Sequence, residues 1–352
     1  MNIDKFSSGL KFDRIIIDVT ARCNLNCPVC YHNGKEEQDI PMASLEKIAN
    51  MYHNKIISLC GGEPTLRDDL PKIIKLFSRN NTVFLVTNGL RLTDHDYVMF
   101  LKKEGLKYIS FSFNGFSEKA YEKINGRPLL GLKLKALENI KKVNIKTILS
   151  VLIVKGINEN EIKGIFGYCI KNSDFIRELR IRSMVNIGRH LNYTKYTVSE
   201  LLDIVCNQIN IDKRDVYREN ELQGMLNKVL KTIFIPRECS FDFHLKKKGD
   251  RFIPVGENLR IDSIKGSHFK AVAMLQEIIK TFGIAMGIKG VLKIIFNPGA
   301  PWVHNADIFK IGLRSWPDGK DKMPGQICRT GYYMNGKIVP FCYANLLKNN
   351  TA

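Results

Sequence analysis

No stretch of the chain is apolar for long enough, free of charge, to read as a membrane-spanning helix. The most apolar part, residues 271–296, is broken by Glu277, Lys280, Lys289 and Lys293. It reads as a core helix or, as the second choice, an interfacial amphipathic one. No charged-then-apolar export pattern opens the sequence either, since Met1-Asn-Ile-Asp-Lys-Phe-Ser-Ser is polar. Acidic residues are scarce: 35 Asp and Glu stand against 54 Lys and Arg, a net charge of +19. That excess favours an anionic partner, whether a phosphate-bearing substrate, a membrane surface or a nucleic acid. No nucleic-acid-binding motif accompanies the charge, and Lys246-Lys247-Lys248 is too short a run to count as one.

The composition that remains is that of a soluble globular protein, 44% hydrophobic and 25% charged over 352 residues, with room for one large domain and an extension. Nine cysteines without an export signal argue for a reducing cytoplasm, with peripheral membrane contact as a variant, and for metal ligation rather than disulfides. Cys23, Cys27 and Cys30 follow closely on the apolar run 14–20, on a loop leaving a strand. Thiolates so closely spaced can converge on one centre. A tetrahedral zinc site wants a fourth ligand, normally from a second short-spaced pair, and nothing nearby supplies that pair. A structural zinc module would have to recruit His32. Three cysteines on a four-iron cluster leave one iron open to a small-molecule ligand.

From residue 12 to about 185, strand and helix patterns alternate, which argues for βα units and a parallel sheet. Strand candidates are 15–19, 56–60, 83–86, 108–113, 147–154 and 179–182; helix candidates between them are 44–54, 69–80, 94–104, 117–123, 130–142 and 159–171. Six such units predict an α/β fold, a partial (β/α)6 TIM-type barrel, with a smaller α+β extension at the C-terminal end. The expected segments are a lead-in at 1–11, the barrel at 12–195 and the extension at 196–352. In βα barrels, chemistry gathers at the C-terminal ends of the strands.

Each remaining motif falls at such an end. Gly61-Gly62-Glu63-Pro64-Thr65 follows the second strand, with paired glycines for close backbone approach and a carboxylate suited to an ammonium group. Thr87-Asn88-Gly89 follows the third, Ser110-Phe-Ser112-Phe-Asn114-Gly115 closes the fourth, and Lys155-Gly156-Ile-Asn158-Glu159 follows the fifth. Arg180, Arg182 and Gly188-Arg189 belong to the sixth. In this order the motifs resemble those of the radical S-adenosylmethionine (SAM) superfamily. That resemblance implies a [4Fe-4S] cluster on Cys23, Cys27 and Cys30, whose open iron chelates SAM. It implies SAM contacts from Gly61, Gly62, Glu63 (amino group), Asn88, Ser112, Asn114, Asn158 and Arg182 (carboxylate). It further implies one-electron reduction by a ferredoxin- or flavodoxin-type donor, and a 5′-deoxyadenosyl radical that abstracts hydrogen from an unactivated C–H. Two positions depart from the family pattern: Asn114 stands where Asp is usual, and Val29 where an aromatic is, with Tyr31 close by to replace it.

In the extension, 197–208 and 219–234 read as helices, a loop begins at 236, and 310–317 and 337–342 look strand-like. Cys328 and Cys342 fall on the arms of a hairpin turning at Asn335-Gly336. With Cys239 they resemble the auxiliary-cluster extensions of radical SAM enzymes, implying a second iron–sulfur site. Residues 125–139 and 336–345 resemble the archaeal tetraether lipid synthase group. That likeness implies an anionic phospholipid substrate joined through C–C bond formation; the alternative within the superfamily is a peptide-modifying maturase.

Overall fold

A computed structural model of the chain describes residues 12–31, 39–186, 188–189, 193–229, 239–283, 307–316, 328–334, 336–341 and 343–344. All six predicted strands form, as β1 (Arg14–Thr20), β2 (Ile56–Gly61), β3 (Thr82–Thr87), β4 (Tyr108–Ser112), β5 (Lys146–Ile153) and β6 (Ile176–Ser183). They pair in sequence order and in parallel. Between them run α1 (Met42–Met51), α2 (Leu70–Ser78), α3 (His95–Lys103), α4 (Glu118–Asn125), α5 (Leu130–Val143) and α6 (Ile162–Lys171).

Alternation along the strands explains the layering. Ile15, Ile17 and Val19 of β1, with Ile57, Leu59, Leu85 and Ile109, bury against Leu45, Ile48, Phe77, Leu101, Leu137 and Ile165 of the helices. The residues between them face the other side and mix polar or charged groups, such as Arg14, Asp18, Ser58 and Ser110, with apolar ones, such as Ile16, Phe84 and Ile148. On that side Arg14 donates to Ser58 Oγ (2.9 Å), and its guanidinium stands 4.7 Å from the Phe84 ring centroid.

The extension does not stand apart from this sheet. After α7 (Val198–Ile209) and α8 (Lys213–Val229) come β7 (Ser240–Lys248), β8 (Arg251–Pro254), α9 (Ile261–Gly266), α10 (Lys270–Phe282), β9 (Ile308–Arg314), β10 (Thr330–Met334) and β11 (Lys337–Pro340). Among the described residues the strand order is β11-β10-β1-β2-β3-β4-β5-β6-β9-β7-β8, an open sheet with the late strands on both edges. Laid flat, β11 and β9 would lie about 38 Å apart, eight strand spacings. Yet Trp316, just past β9, meets Phe341, just past β11, with ring centroids 5.0 Å apart. The sheet therefore curls into an incomplete barrel.

Sequence reading missed β7 and β8, hidden by the lysine run at 246–248. Phe243 and Leu245 nevertheless alternate with Asp242 and His244 as a half-buried strand should. Helix α8 also begins at Lys213, six residues ahead of its expected start. The 271–296 stretch is helical as far as Phe282 and then leaves the described residues. No helix among the described residues is long and apolar enough to cross a membrane.

A partly buried ionic network ties β6, β7 and β9 together on the same side as Arg14, with Glu178 its buried member. Glu178 pairs with Arg180 (2.8 Å) and Lys310 (3.5 Å), while Asp242 pairs with Lys310 (3.0 Å) and Arg314 (2.5 Å). Burial alone would raise Glu178, but Arg180 and Lys310 outweigh it and hold the carboxyl at about 2. A depressed carboxyl contributes stability that is complete above its ordinary value of 4.5 and is lost as pH falls towards 2. The unfolding free energy from urea titrations should fall across that window, and Glu178→Gln should flatten the fall. An unchanged acid slope in the variant would show that the pair contributes nothing.

Candidate functional site

The loop leaving β1 is fixed at its root. Thr20 Oγ1 donates to Asp39 Oδ1 (2.6 Å), and Arg22 forks onto the same carboxylate through Nε (3.1 Å) and Nη2 (2.7 Å). The loop after β2 lies directly against it: Gly62 N–H donates to Thr20 O (2.9 Å) and Glu63 N–H to Arg22 O (2.7 Å). A Cβ on Gly61, whose φ is +136°, would sit 2.0 Å from Thr20 O, and one on Gly62 would sit 2.2 Å from Arg22 O. The paired glycines thus serve an approach of the chain to itself, where the sequence suggested an approach to a ligand.

Glu63 is almost fully buried, at 1% exposure. Its Oε1 accepts from Thr65 N (3.1 Å), Thr65 Oγ1 (2.7 Å) and Thr87 Oγ1 (2.6 Å), and its Oε2 from Asn88 N (2.6 Å). One carboxylate therefore joins the loops after β2 and β3. Asn88 carries the connection back to the cysteine loop, with Nδ2 donating to Asn24 Oδ1 (2.8 Å). Its carbonyl, with that of Ser112, accepts from Lys133 Nζ at 2.5 and 2.9 Å. Lys133 is wholly buried, and burial, opposed by Glu63 and Cys27, brings its ammonium down to about 8.

The family resemblance assigns no role to Lys133 or Asn125, which the fold brings into the site. The signal for Lys133 was present: it occupies the apolar face of α5, in helical register with the buried Leu129, Ala136, Leu137 and Ile140. A lysine there needs buried partners.

The other expected site residues divide sharply. Asn114 and Asn158 are spent within the protein. Asn114 bonds Leu152 N–H and Asn125, while Asn158 receives Val154 N–H (2.9 Å) and donates to the Asn114 and Leu152 carbonyls (2.9 Å each). Ser112 remains half-buried at the end of β4. Arg182 differs from all of these. Its Nε has no hydrogen-bond partner among the described residues, and its guanidinium stands 5.7 Å from the Trp316 ring centroid. Burial lowers its pKa, and the groups acting on it are Tyr31, Arg180 and Cys60, with no carboxylate among them. Arg180, by contrast, is committed to Glu178.

None of the three loop cysteines is in a disulfide. Cys23 has an exposed surface, yet the protein around its thiol pushes it up to about 11, with Glu63, Cys27 and Cys30 adding to the effect. The Cys23 thiol is thus within electrostatic reach of Cys27, Cys30 and Glu63. The three thiols are not drawn onto a single point: among the described residues no three Cys, His, Asp or Glu side chains form a closed ion site. Arg189 N–H, from the loop after β6, donates to Cys30 O (3.1 Å), and Asn125 Nδ2 approaches Cys27 Sγ at 3.4 Å. The loops after β2, β4 and β6 therefore all bond to the cysteine loop or to residues that do. Residues 17–169, which hold most of these elements, match the model of the radical SAM superfamily.

This part of the chain is a radical SAM domain.

The chain is 37% identical over 218 residues to the 7,8-dihydro-6-hydroxymethylpterin dimethyltransferase of Methanocaldococcus jannaschii, a match covering 57% of this chain and 43% of that protein. It is 32% identical over 174 residues to a probable GTP 3′,8-cyclase of Aeropyrum pernix, covering 46% of this chain and 48% of that protein. These matches span less than half of either relative. Among solved structures, Streptococcus suis SuiB bound to S-adenosylmethionine aligns at 19% identity with a TM-score of 0.49, over 55% of this chain and 46% of that one.

The donor set of the radical SAM domain suits its family's cofactors, a [4Fe-4S] cluster and SAM. Soft thiols sit on a loop tied down on both flanks, and among the described residues no carboxylate faces Arg182. Arg182 and the late strands lie beyond the residues matched to the family. Cys239 precedes β7 and Cys328 precedes β10, where its thiol donates to Thr330 O (3.3 Å); Cys342 lies outside the described residues.

Proposed function

We propose that the chain is a radical SAM enzyme whose Cys23, Cys27 and Cys30 hold a [4Fe-4S] cluster. The observation that supports this is that the loop carrying Cys23, Cys27 and Cys30 lies at the end of the barrel, bonded to the loops after β2, β3 and β6 and to Asn125. Held by Cys23, Cys27 and Cys30, the cluster would supply one-electron chemistry to bound SAM, and the cleaved SAM would in turn be able to take a hydrogen atom from an unactivated C–H of the substrate.

The protein's own part is to bind, orient and exclude solvent. Glu63 and Lys133 lock the rim loops, and Arg182 offers its unmatched charge to a carboxylate, that of SAM or of the substrate. Asn88 and Ser112 are offered to SAM directly, while Gly61, Gly62, Asn114 and Asn158, whose contacts close within the chain, hold the loops against which it would rest. No side chain has to move a proton in this step, which agrees with a chain holding only seven histidines. A ferredoxin- or flavodoxin-type protein supplies the electron. The reading does not depend on a second centre at Cys239, Cys328 and Cys342.

For the substrate, the lining of the barrel favours a polar molecule over a phospholipid tail. Arg14, Asp18 and Arg182 stand on the face turned from the helices, among apolar residues such as Ile16, Phe84 and Ile148, and a hydrocarbon tail laid against Arg182 would leave its charge without solvation. By name, the two relatives act on a pterin and on GTP, both polar heterocycles.

Anaerobically reconstituted protein with SAM and dithionite should yield 5′-deoxyadenosine, read by chromatography. Deuterium from a labelled polar heterocycle, rather than from a labelled phospholipid or peptide, should appear in that product. No nucleoside above the level of iron-free protein would contradict the enzymatic reading. Label arriving from the lipid would contradict the substrate reading alone.

A further inference from the structure

The Asn125 amide lies at the end of α4, its Nδ2 3.4 Å from the sulfur of Cys27. Which end of an amide points where is decided by its partners, and here the deciding partner is backbone. Leu152 N–H can only donate, so the Asn114 atom it meets at 3.2 Å is the carbonyl oxygen. Asn114 must then turn its NH2 to Asn125, where Nδ2 meets Oδ1 at 3.0 Å. With its oxygen so occupied, Asn125 presents its own NH2 to Cys27. Both amides are buried, at 2% and 7% exposure, and Asn158 Nδ2 donates to the backbone carbonyl of Asn114 at 2.9 Å.

We propose that this relay, from Leu152 N–H through Asn114 and Asn125, delivers a hydrogen-bond donor to the Cys27 sulfur and so raises the reduction potential of the cluster. The inference rests on Cys27 being a cluster ligand, as argued above. Reduction adds negative charge to the cluster and its thiolates, and a donor aimed at one sulfur stabilises the reduced form more than the oxidised one. Asn125 is a positioning and tuning residue, and Asn114 sets its polarity.

That polarity gives an unusual test. An aspartate at 114 has two acceptor oxygens and no donor. One oxygen would keep Leu152 N–H, while the other would draw the Asn125 NH2 towards itself and turn the Asn125 carbonyl to the sulfur. Asn114→Asp should therefore act like the loss of Asn125, although Asn125 stays in place.

The experiment is a redox titration, followed by electron paramagnetic resonance, of the full chain reconstituted without SAM, with iron and sulfide counted for every sample. Asn125→Ala and Asn114→Asp should each retain a four-iron cluster but titrate lower. The expected shift is about tenfold in the one-electron equilibrium, or about 59 mV. Asn125→Ser, which keeps a hydroxyl donor, should fall between them and the parent. If Asn125→Ala does not fold, Asn125→Ser decides, since Asn114→Asp also brings a negative charge that lowers the potential by itself. Intact clusters at the parent potential in the variants would overturn the tuning role. A parent chain that assembles no four-iron cluster would instead overturn the cysteine assignment beneath it.

Discussion

Glu63→Gln should destabilise the protein by about 3–5 kcal/mol, nearly as much as Glu63→Ala, although it changes one atom. The reason lies in what surrounds the side chain. Asn88 N–H and Thr65 N–H can only donate. The Thr87 hydroxyl accepts from Gly89 N–H (2.9 Å), so its proton is directed to Glu63. A site built wholly of donors suits a carboxylate. A glutamine would place its own NH2 against one of those donors and leave the other groups competing for a single oxygen. It would also remove the negative charge that offsets buried Lys133. Chemical denaturation of parent and variant measures the loss. A change below about 1 kcal/mol would mean that the loops after β2 and β3 do not depend on this carboxylate.

Lys133→Met should be the next most damaging change, about 2–4 kcal/mol at neutral pH. It strips the Asn88 and Ser112 carbonyls of their donor and leaves Glu63 without its nearby cation. The effect has a pH signature. In the folded chain the ammonium titrates at about 8, against 10.5 ordinarily, so between those values the unfolded chain binds more protons than the folded one. Stability conferred by this site therefore rises with pH across that window, because folding no longer confines a charge. The gap between parent and variant should widen from pH 8 towards pH 10. A gap that narrows would show that the ammonium form is the one the fold prefers.

The barrel was legible because its strands repeat one pattern, buried aliphatics facing helices at every second position, and parallel strands of this kind advertise themselves in sequence. The cysteine loop was equally plain, since three thiols in so short a span have few structural uses. What sequence could not give was the division of labour among the polar residues on the rim. Glu63, Asn114 and Asn158 look like ligand groups in one dimension, but folding closes their hydrogen bonds onto the chain itself. Arg182 and Arg180 look equivalent two residues apart, and only the arrival of Glu178 beside one of them tells them apart. β9 and the β10–β11 hairpin were legible as strands, but not where they pair, because their partners lie far away in sequence, β10 beside β1 and β9 beside β6.

The central claim is that Cys23, Cys27 and Cys30 together hold a four-iron cluster that cleaves SAM, and a paired count of iron and product tests it most directly. The reconstituted parent should bind at least four irons with matching sulfide and form 5′-deoxyadenosine; with all three cysteines changed to alanine it should lose four irons and all of that product. A triple variant that keeps its iron and its SAM cleavage, or a colourless parent holding one zinc, would contradict the account.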